Sequence, residues 1–191
     1  MHFKFGVRCY WMTTIHPVLA EFQQRCQQHY TCCALAIGGV NNFVNELGNR
    51  RPDKLVFKYV EKPRQESLVA RVTVADLRIL GAPDGQFSDT LAKAVLVYVY
   101  AEWEEHYRIK YAKSIGTNKG SVCCDLMGDL RRVRNCIVHA QSIVTNEHER
   151  RTVMQWPKCS GNLKITFQMM TQFFSQVTHL EVVLKKSQGG D

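Results

Sequence analysis

Near its C-terminal third the chain places a guanidinium, a carboxamide and an imidazole close together, in Asp129-Leu130-Arg131-Arg132-Val133-Arg134-Asn135-Cys136-Ile137-Val138-His139. An unperturbed imidazole changes charge at about pH 6.5, so His139 is suited to giving and taking protons near neutrality. A guanidinium is always cationic and presents a rigid fork of donors, which suits Arg134 to gripping an oxyanion. Asn135 and His139 stand four residues apart and share one face of a helix, with Arg132 beside them. Arg134 lies about 140° from His139 on an ideal helix. Either the helix loosens before His139, or a second subunit supplies the missing half. Basic residues near a helix C-terminus also serve simply to oppose the helix dipole, so the residues alone leave a surface role open.

The elements that must position these groups are read from apolar spacing. Leu126, Leu130, Val133 and Ile137 recur at steps of four, three and four, predicting a helix from Ser121 with one buried face. Cys136 falls at the edge of that face and reads as packing, not as a nucleophile. From Pro17 to Leu47 the residues Leu19, Phe22, Cys26, Cys33, Ile37, Val40, Val44 and Leu47 predict one long helix, with Gly48 at its end. Gly38-Gly39 would bend it or let another backbone approach closely. A third helix is expected from a cap at Ser88, Asp89 or Thr90 to Ser114. It carries two stripes, Leu91, Val95, Tyr98, Ile109 and Ala112 on one side and Leu96, Tyr100, Trp103 and Tyr107 on the other, so two surfaces pack against it. Phe173, Val177, Leu180 and Leu184 predict a terminal helix. Residues 50–87 fit either a short β-hairpin, over Leu55–Val60 and Val69–Val74, or a helical face through Leu68, Val72, Ala75 and Ile79. Pro52, Pro63 and Pro83-Asp84-Gly85 mark this stretch as a connector or insertion. The fold class expected is mainly all-α, an up-and-down helical bundle in a single domain, 1–191: a long helix at 17–47, the insertion at 50–87 and a helical core at 87–186.

Length and composition bound the rest. A chain of 191 residues, 45% hydrophobic, can bury one sizeable core. A net charge of +8 favours polyanions such as RNA or DNA, though a merely basic surface would look the same. Arg131-Arg132, Arg150-Arg151 and Lys185-Lys186 are the clusters that could track a phosphate backbone. Eight cysteines include two adjacent pairs and no C-x-x-C, which fits reduced thiols in a cytoplasm better than a disulfide framework. The histidines show no ligand-like spacing with cysteines or acids, so no metal and no cofactor is expected. Walker, Rossmann and G-x-S-x-G patterns are missing. Met1 to Met12 does not read as a signal peptide, and the longest strongly apolar run, Ala94 to Ala101, is far short of the roughly 20 residues that cross a bilayer.

The Arg134-Asn135-x3-His139 set, on an amphipathic helix followed by a polar loop and a terminal helix, resembles the R-[polar]-x-x-x-H signature of the HEPN superfamily of helical, RNA-cleaving proteins. The resemblance covers about Phe87 to Lys186, with Pro17 to Leu47 as a further bundle helix. Arg134 matches the family's arginine, Asn135 the polar residue after it and His139 its histidine. It implies a homodimer whose two motifs face one another across a cleft and cut RNA without a metal. It also implies the defence or toxin type of endoribonuclease, with an antitoxin or regulatory partner. In such a site His139 would take the proton of a ribose 2′-hydroxyl or protonate the leaving 5′-oxygen. Arg134 would hold the scissile phosphate, and Asn135 would orient His139 or donate to phosphate.

Glu102 and Glu105 continue the stripe of Leu91, Val95 and Tyr98 and would need a cationic partner if turned inward. One of them is expected to fix the Arg134 fork, with Arg131 or Arg108 as other partners; solvated carboxylates are the plain alternative. Arg131 and Arg132 are the expected RNA-binding residues. The rival to a nuclease is a non-catalytic helical module that binds nucleic acid or nucleotides, or serves dimerisation.

Overall fold

The computed structural model describes residues 15–47, 54–62, 65–145, 152–154, 156 and 161–185, with the side chains of 56–70 left aside. Met1–Met12, Gly48, Pro52, Pro63, Arg150-Arg151 and Lys186 lie outside the described residues.

The chain is mainly helical. Helix α1 spans Pro17–Leu47, as its apolar spacing predicts. His16 caps it, because its Nδ1 accepts from the N–H of Val18 at 3.3 Å and its carbonyl accepts from Leu19 and Ala20. Pro17 then occupies the first turn, where a missing N–H costs nothing. A Cβ at Gly38 or Gly39 would meet nothing within 4 Å, so among the described residues no backbone approaches there. The close approach is at Gly81 instead, where a Cβ would stand 2.9 Å from a methyl of Val44.

Within 50–87 the hairpin and the helix both form, one after the other. Strands β1 (Lys54–Lys62) and β2 (Gln65–Thr73) form an antiparallel hairpin, and helix α2 (Val74–Leu80) follows directly. Thr73 caps α2 by accepting from the N–H of Asp76 at 3.0 Å. Val44, Leu47 and Leu77 form a small cluster beneath Leu55 and Val72, which seats the hairpin on the end of α1.

Helix α3 spans Gln86–Glu102 and begins at the Pro83-Asp84-Gly85 turn, earlier than the expected cap. Asp89 is therefore no cap. Its carboxylate takes the N–H of Ile165 at 2.6 Å and Lys93 at 2.7 Å, tying α3 to the strand-like approach to the last helix. A π turn, Trp103–Tyr107, joins α3 to α4 (Arg108–Ser114), with the N–H of Arg108 reaching back to the carbonyl of Trp103. The buried positions run Leu96, Val99, Trp103, Tyr107, Ala112. The last step of five would rotate about 140° on a regular helix, and the extra residue of the π turn brings Ala112 back to the core side. Of the two expected stripes, the one through Leu96, Trp103 and Tyr107 is the core face, while Tyr98 is half-exposed.

Helix α5 is Asp125–His139 and starts later than Ser121, which instead ends a short 3₁₀ turn at Lys119–Ser121 before strand β3 (Val122–Cys123). Leu126, Leu130 and Val133 are buried as predicted, with Cys136 fully buried and Ile137 only partly so. Strands β4 (Ile143–Val144) and β5 (Gly161–Asn162) pair across the polar loop. Helix α6 is Phe167–Val177, capped by Thr166. Leu180 and Leu184 do not extend it, because Val183–Leu184 forms strand β6 against β3. One core joins α1, α3, α5 and α6 through Phe22, Leu96, Val99, Leu130, Val133, Met170 and Phe173. The six described cysteines are thiols, and no helix is long and apolar enough to cross a membrane among the described residues.

Candidate active site

Arg134, Asn135 and His139 meet at the C-terminal end of α5. Nη1 of Arg134 donates to Oδ1 of Asn135 at 3.2 Å and lies 2.8 Å from Nε2 of His139. Arginine has no acceptor, so Nε2 must be the accepting nitrogen and the ring proton sits on Nδ1. Neither a loosened helix nor a second subunit is needed to bring these groups together. The chain stays helical to His139. Helical side chains lean toward the N-terminus, so the imidazole tilts back over the preceding turn while the long arginine arm swings across to it.

Beyond His139 the backbone is less regular. The N–H of Ser142 bonds to the carbonyl of Cys136 at 2.9 Å, and the chain turns sharply through Gln141 (φ 49°) and Ser142 (φ 67°). Both lie in the left-handed region that costs most side chains free energy. The turn ends α5 at the imidazole and leaves His139 exposed. Cys136 packs below with its Sγ 3.3 Å from the carbonyl of Ile143, a structural role.

These three side chains, with Arg131, form one wall of a cleft of about 520 Å³. The facing wall is Val97, Tyr100, Ala101, Glu104 and Glu105 of α3 and the π turn. A second cavity of about 690 Å³, sharing Val97 and Ala101 and lined also by Ala94, Tyr98, Ile137 and Ser142, continues the groove.

The expected carboxylate partner of Arg134 is corrected in part. Glu102 points to α1, where it takes Nε of Arg25 at 3.1 Å and Nε2 of His29 at 2.9 Å. Burial pushes its carboxyl up, and the His29 and Arg25 hydrogen bonds outweigh that, leaving it below the usual range. Glu105 shares the cleft with Arg134 but makes no ion pair with it among the described residues. Glu104, which the spacing did not single out, takes Arg108 at 2.9 Å and Lys119 at 2.7 Å. Its carboxyl too is pushed up by burial and brought below its usual range by the Lys119 and Arg108 hydrogen bonds. Arg108 is therefore occupied with Glu104 and with the carbonyl of Val122 at 3.0 Å.

Arg131 lines the cleft, but Arg132 turns away from it. Its Nη1 donates to Asp129 at 2.9 Å. Asp129 has no exposed surface and accepts from the backbone N–H groups of Thr152, Val153 and Met154 at 2.7–2.9 Å. It thereby anchors the loop beyond the site to the helix that carries it. The signal was present in the sequence: position 129 lies between Leu126, Leu130 and Val133 on the apolar face, where a lone carboxylate must find several donors. Among the described residues no three of His, Cys, Asp and Glu gather as a metal site.

Comparisons with protein-family models, with curated proteins and with solved structures found no match. The cleft offers a guanidinium fork, an imidazole, a carboxamide and a second arginine, which together suit a phosphodiester whose cleavage turns on proton transfer.

Proposed function

We propose that the chain is a HEPN-like endoribonuclease of the defence or toxin type, cutting RNA by attack of the ribose 2′-hydroxyl without a metal. The observation that carries this reading is the contact between Arg134 and His139 at 2.8 Å, in an open cleft that also holds Asn135 and Arg131. The lone pair of His139 is tied to the guanidinium. A phosphodiester competes for that guanidinium with two charge-assisted hydrogen bonds, which are stronger than one to a neutral imidazole. Arg134 then moves onto phosphate and Nε2 is released to act as base.

The 2′-hydroxyl gives its proton to Nε2, the 2′-oxygen bonds to phosphorus, and the bond from phosphorus to the 5′-oxygen breaks. The 5′-oxygen takes a proton from an imidazolium. The products are a 2′,3′-cyclic phosphate and a 5′-hydroxyl. Arg134 stabilises the charge that gathers on the non-bridging oxygens, and Asn135, through Oδ1, holds the guanidinium in register. Each chain brings one such imidazole, so base and acid acting together call for two copies. The groove lined by Ala94, Val97, Tyr98, Ala101 and Ile137 adjoins the cleft, sharing Val97 and Ala101 with it, and is the face proposed to meet the second copy. A cytoplasmic setting and a regulatory partner belong to the same reading.

The test is incubation of the purified protein with single-stranded RNA in the presence of chelator, with identification of the product ends. Cleavage leaving 2′,3′-cyclic phosphate, lost in Arg134→Ala and His139→Ala, is the expected result. A 5′-phosphate product, or loss of cleavage in chelator, contradicts it. Binding of RNA without cleavage by the unaltered protein selects the non-catalytic module.

A further inference from the structure

The wall facing Arg134 carries an aromatic ring that 2′-hydroxyl attack does not use. Tyr100 sits on α3 between Val97 and Ala101, and all three line the cleft opposite Arg134. One part of its side chain rests against the core and another lines the cleft, so the ring is held in place before any ligand arrives. A side chain already ordered loses little entropy on binding. Burial and the nearby Glu104 push its phenol up, against Arg131, Arg108 and Arg134, so it stays uncharged beside a polyanion.

We propose that Tyr100 is the platform on which the nucleobase next to the scissile phosphate stacks, so that the cleft accepts an unpaired nucleotide and not a duplex. This rests on the nuclease reading and names its substrate class. A phosphate gripped by Arg134 and Arg131 leaves its nucleoside facing the opposite wall, which Tyr100 lines. In an A-form duplex the bases stack on one another and present no free face to a side chain. A base splayed from a single strand does present one, and an aromatic residue receives it whatever its identity. The cut would then fall in loops and single strands, with weak preference among bases. Arg131 and Arg134, three residues apart on α5, point along the same face and follow the backbone on either side of the stacked base.

The experiment measures binding of a short 2′-O-methyl oligoribonucleotide, which cannot be cut by 2′-attack, and of copies carrying one abasic residue at each position in turn. For the unaltered protein, one abasic position is expected to weaken binding roughly tenfold or more, the range seen for loss of a base–aromatic stack. Tyr100→Phe keeps the ring and is expected to bind like the parent. Tyr100→Leu is expected to bind about as weakly as the abasic copy and to be indifferent to the abasic position. A structural role for Tyr100 would lower both affinities alike, so the two losses would multiply. The proposal is overturned by multiplying losses, by Tyr100→Phe weakening as much as Tyr100→Leu, by insensitivity to every abasic position, or by failure of the oligonucleotide to bind. The abasic series on the unaltered protein needs no variant to fold. Cleavage of the all-ribose strand is scored separately: cutting without coupling to Tyr100 removes the stack and keeps the nuclease, while coupling without cutting does the reverse.

Discussion

Asp129 holds three consecutive backbone N–H groups from the loop at 152–154 and one arginine, with no surface of its own exposed. Its replacement by Ala would leave those buried donors without an acceptor, and removing one partner of such a buried charged set typically costs about 3–5 kcal/mol. Urea denaturation of Asp129→Ala should show a loss of that order, and RNA cleavage should fall with the folded fraction. Arg134→Lys makes a different prediction. Lysine keeps the charge but not the fork, so stability should barely change while the rate falls about a hundredfold, as when an oxyanion donor is lost. Steady-state cleavage beside a thermal melt separates the two. The triad itself was legible in the sequence because its members are near neighbours on one amphipathic helix. Tyr100 and Glu104 were not, because they come to share a cleft with Arg134 and Arg131 only when α3 packs on α5, and nothing in the spacing along α3 says which residues look across.

At the scale of elements, two carboxylates tie the long helix to its neighbours: Glu102 joins α3 to α1, and Glu104 joins the π turn to Arg108 of α4 and to Lys119. Both have folded-state values below the ordinary carboxylate range. As pH falls the unfolded chain therefore binds protons at these groups first, so their contribution is complete above that range and is lost as pH drops through it to the folded values. The urea midpoint should fall between neutral and acidic pH, and it should fall less steeply in Glu102→Gln/Glu104→Gln than in the parent. An equal slope would mean that these two residues contribute nothing to the acid sensitivity. The turn after His139 gives a second prediction at this scale. Ser142 adopts φ 67°, and glycine there would relieve a cost of about 1 kcal/mol, offset in part by the freer unfolded chain. Ser142→Gly should raise the melting temperature by a degree or more, and Ser142→Val should lower it. Helix α1 was readable because eight apolar residues keep one face over its length. The ends of α5 and α6 were not, since Ser121–Cys123 and Val183–Leu184 carry residues that suit a helix as well as a strand, and the pairing of β3 with β6 decides between them.

For the whole molecule, the proposed mechanism brings two imidazoles to one phosphodiester. Each chain already joins its own Arg134 and His139, so in that proposal a second copy supplies the acid and not the arginine. Mixing the parent with a growing excess of His139→Ala, under conditions where copies exchange, should lower activity with the square of the parent fraction; a linear fall would mean that each chain works alone. Sedimentation should give the mass of two chains, each of 22.0 kDa. The net charge of +8 should make binding weaken as salt rises. Whether a ribose 2′-hydroxyl is the nucleophile is decided with a single strand of deoxynucleotides that has one ribonucleotide set within it. One cut is expected, immediately 3′ of the ribose, with none in His139→Ala. Cutting of the all-deoxy strand, or of a strand whose one ribose is capped as the 2′-O-methyl ether, would contradict the mechanism.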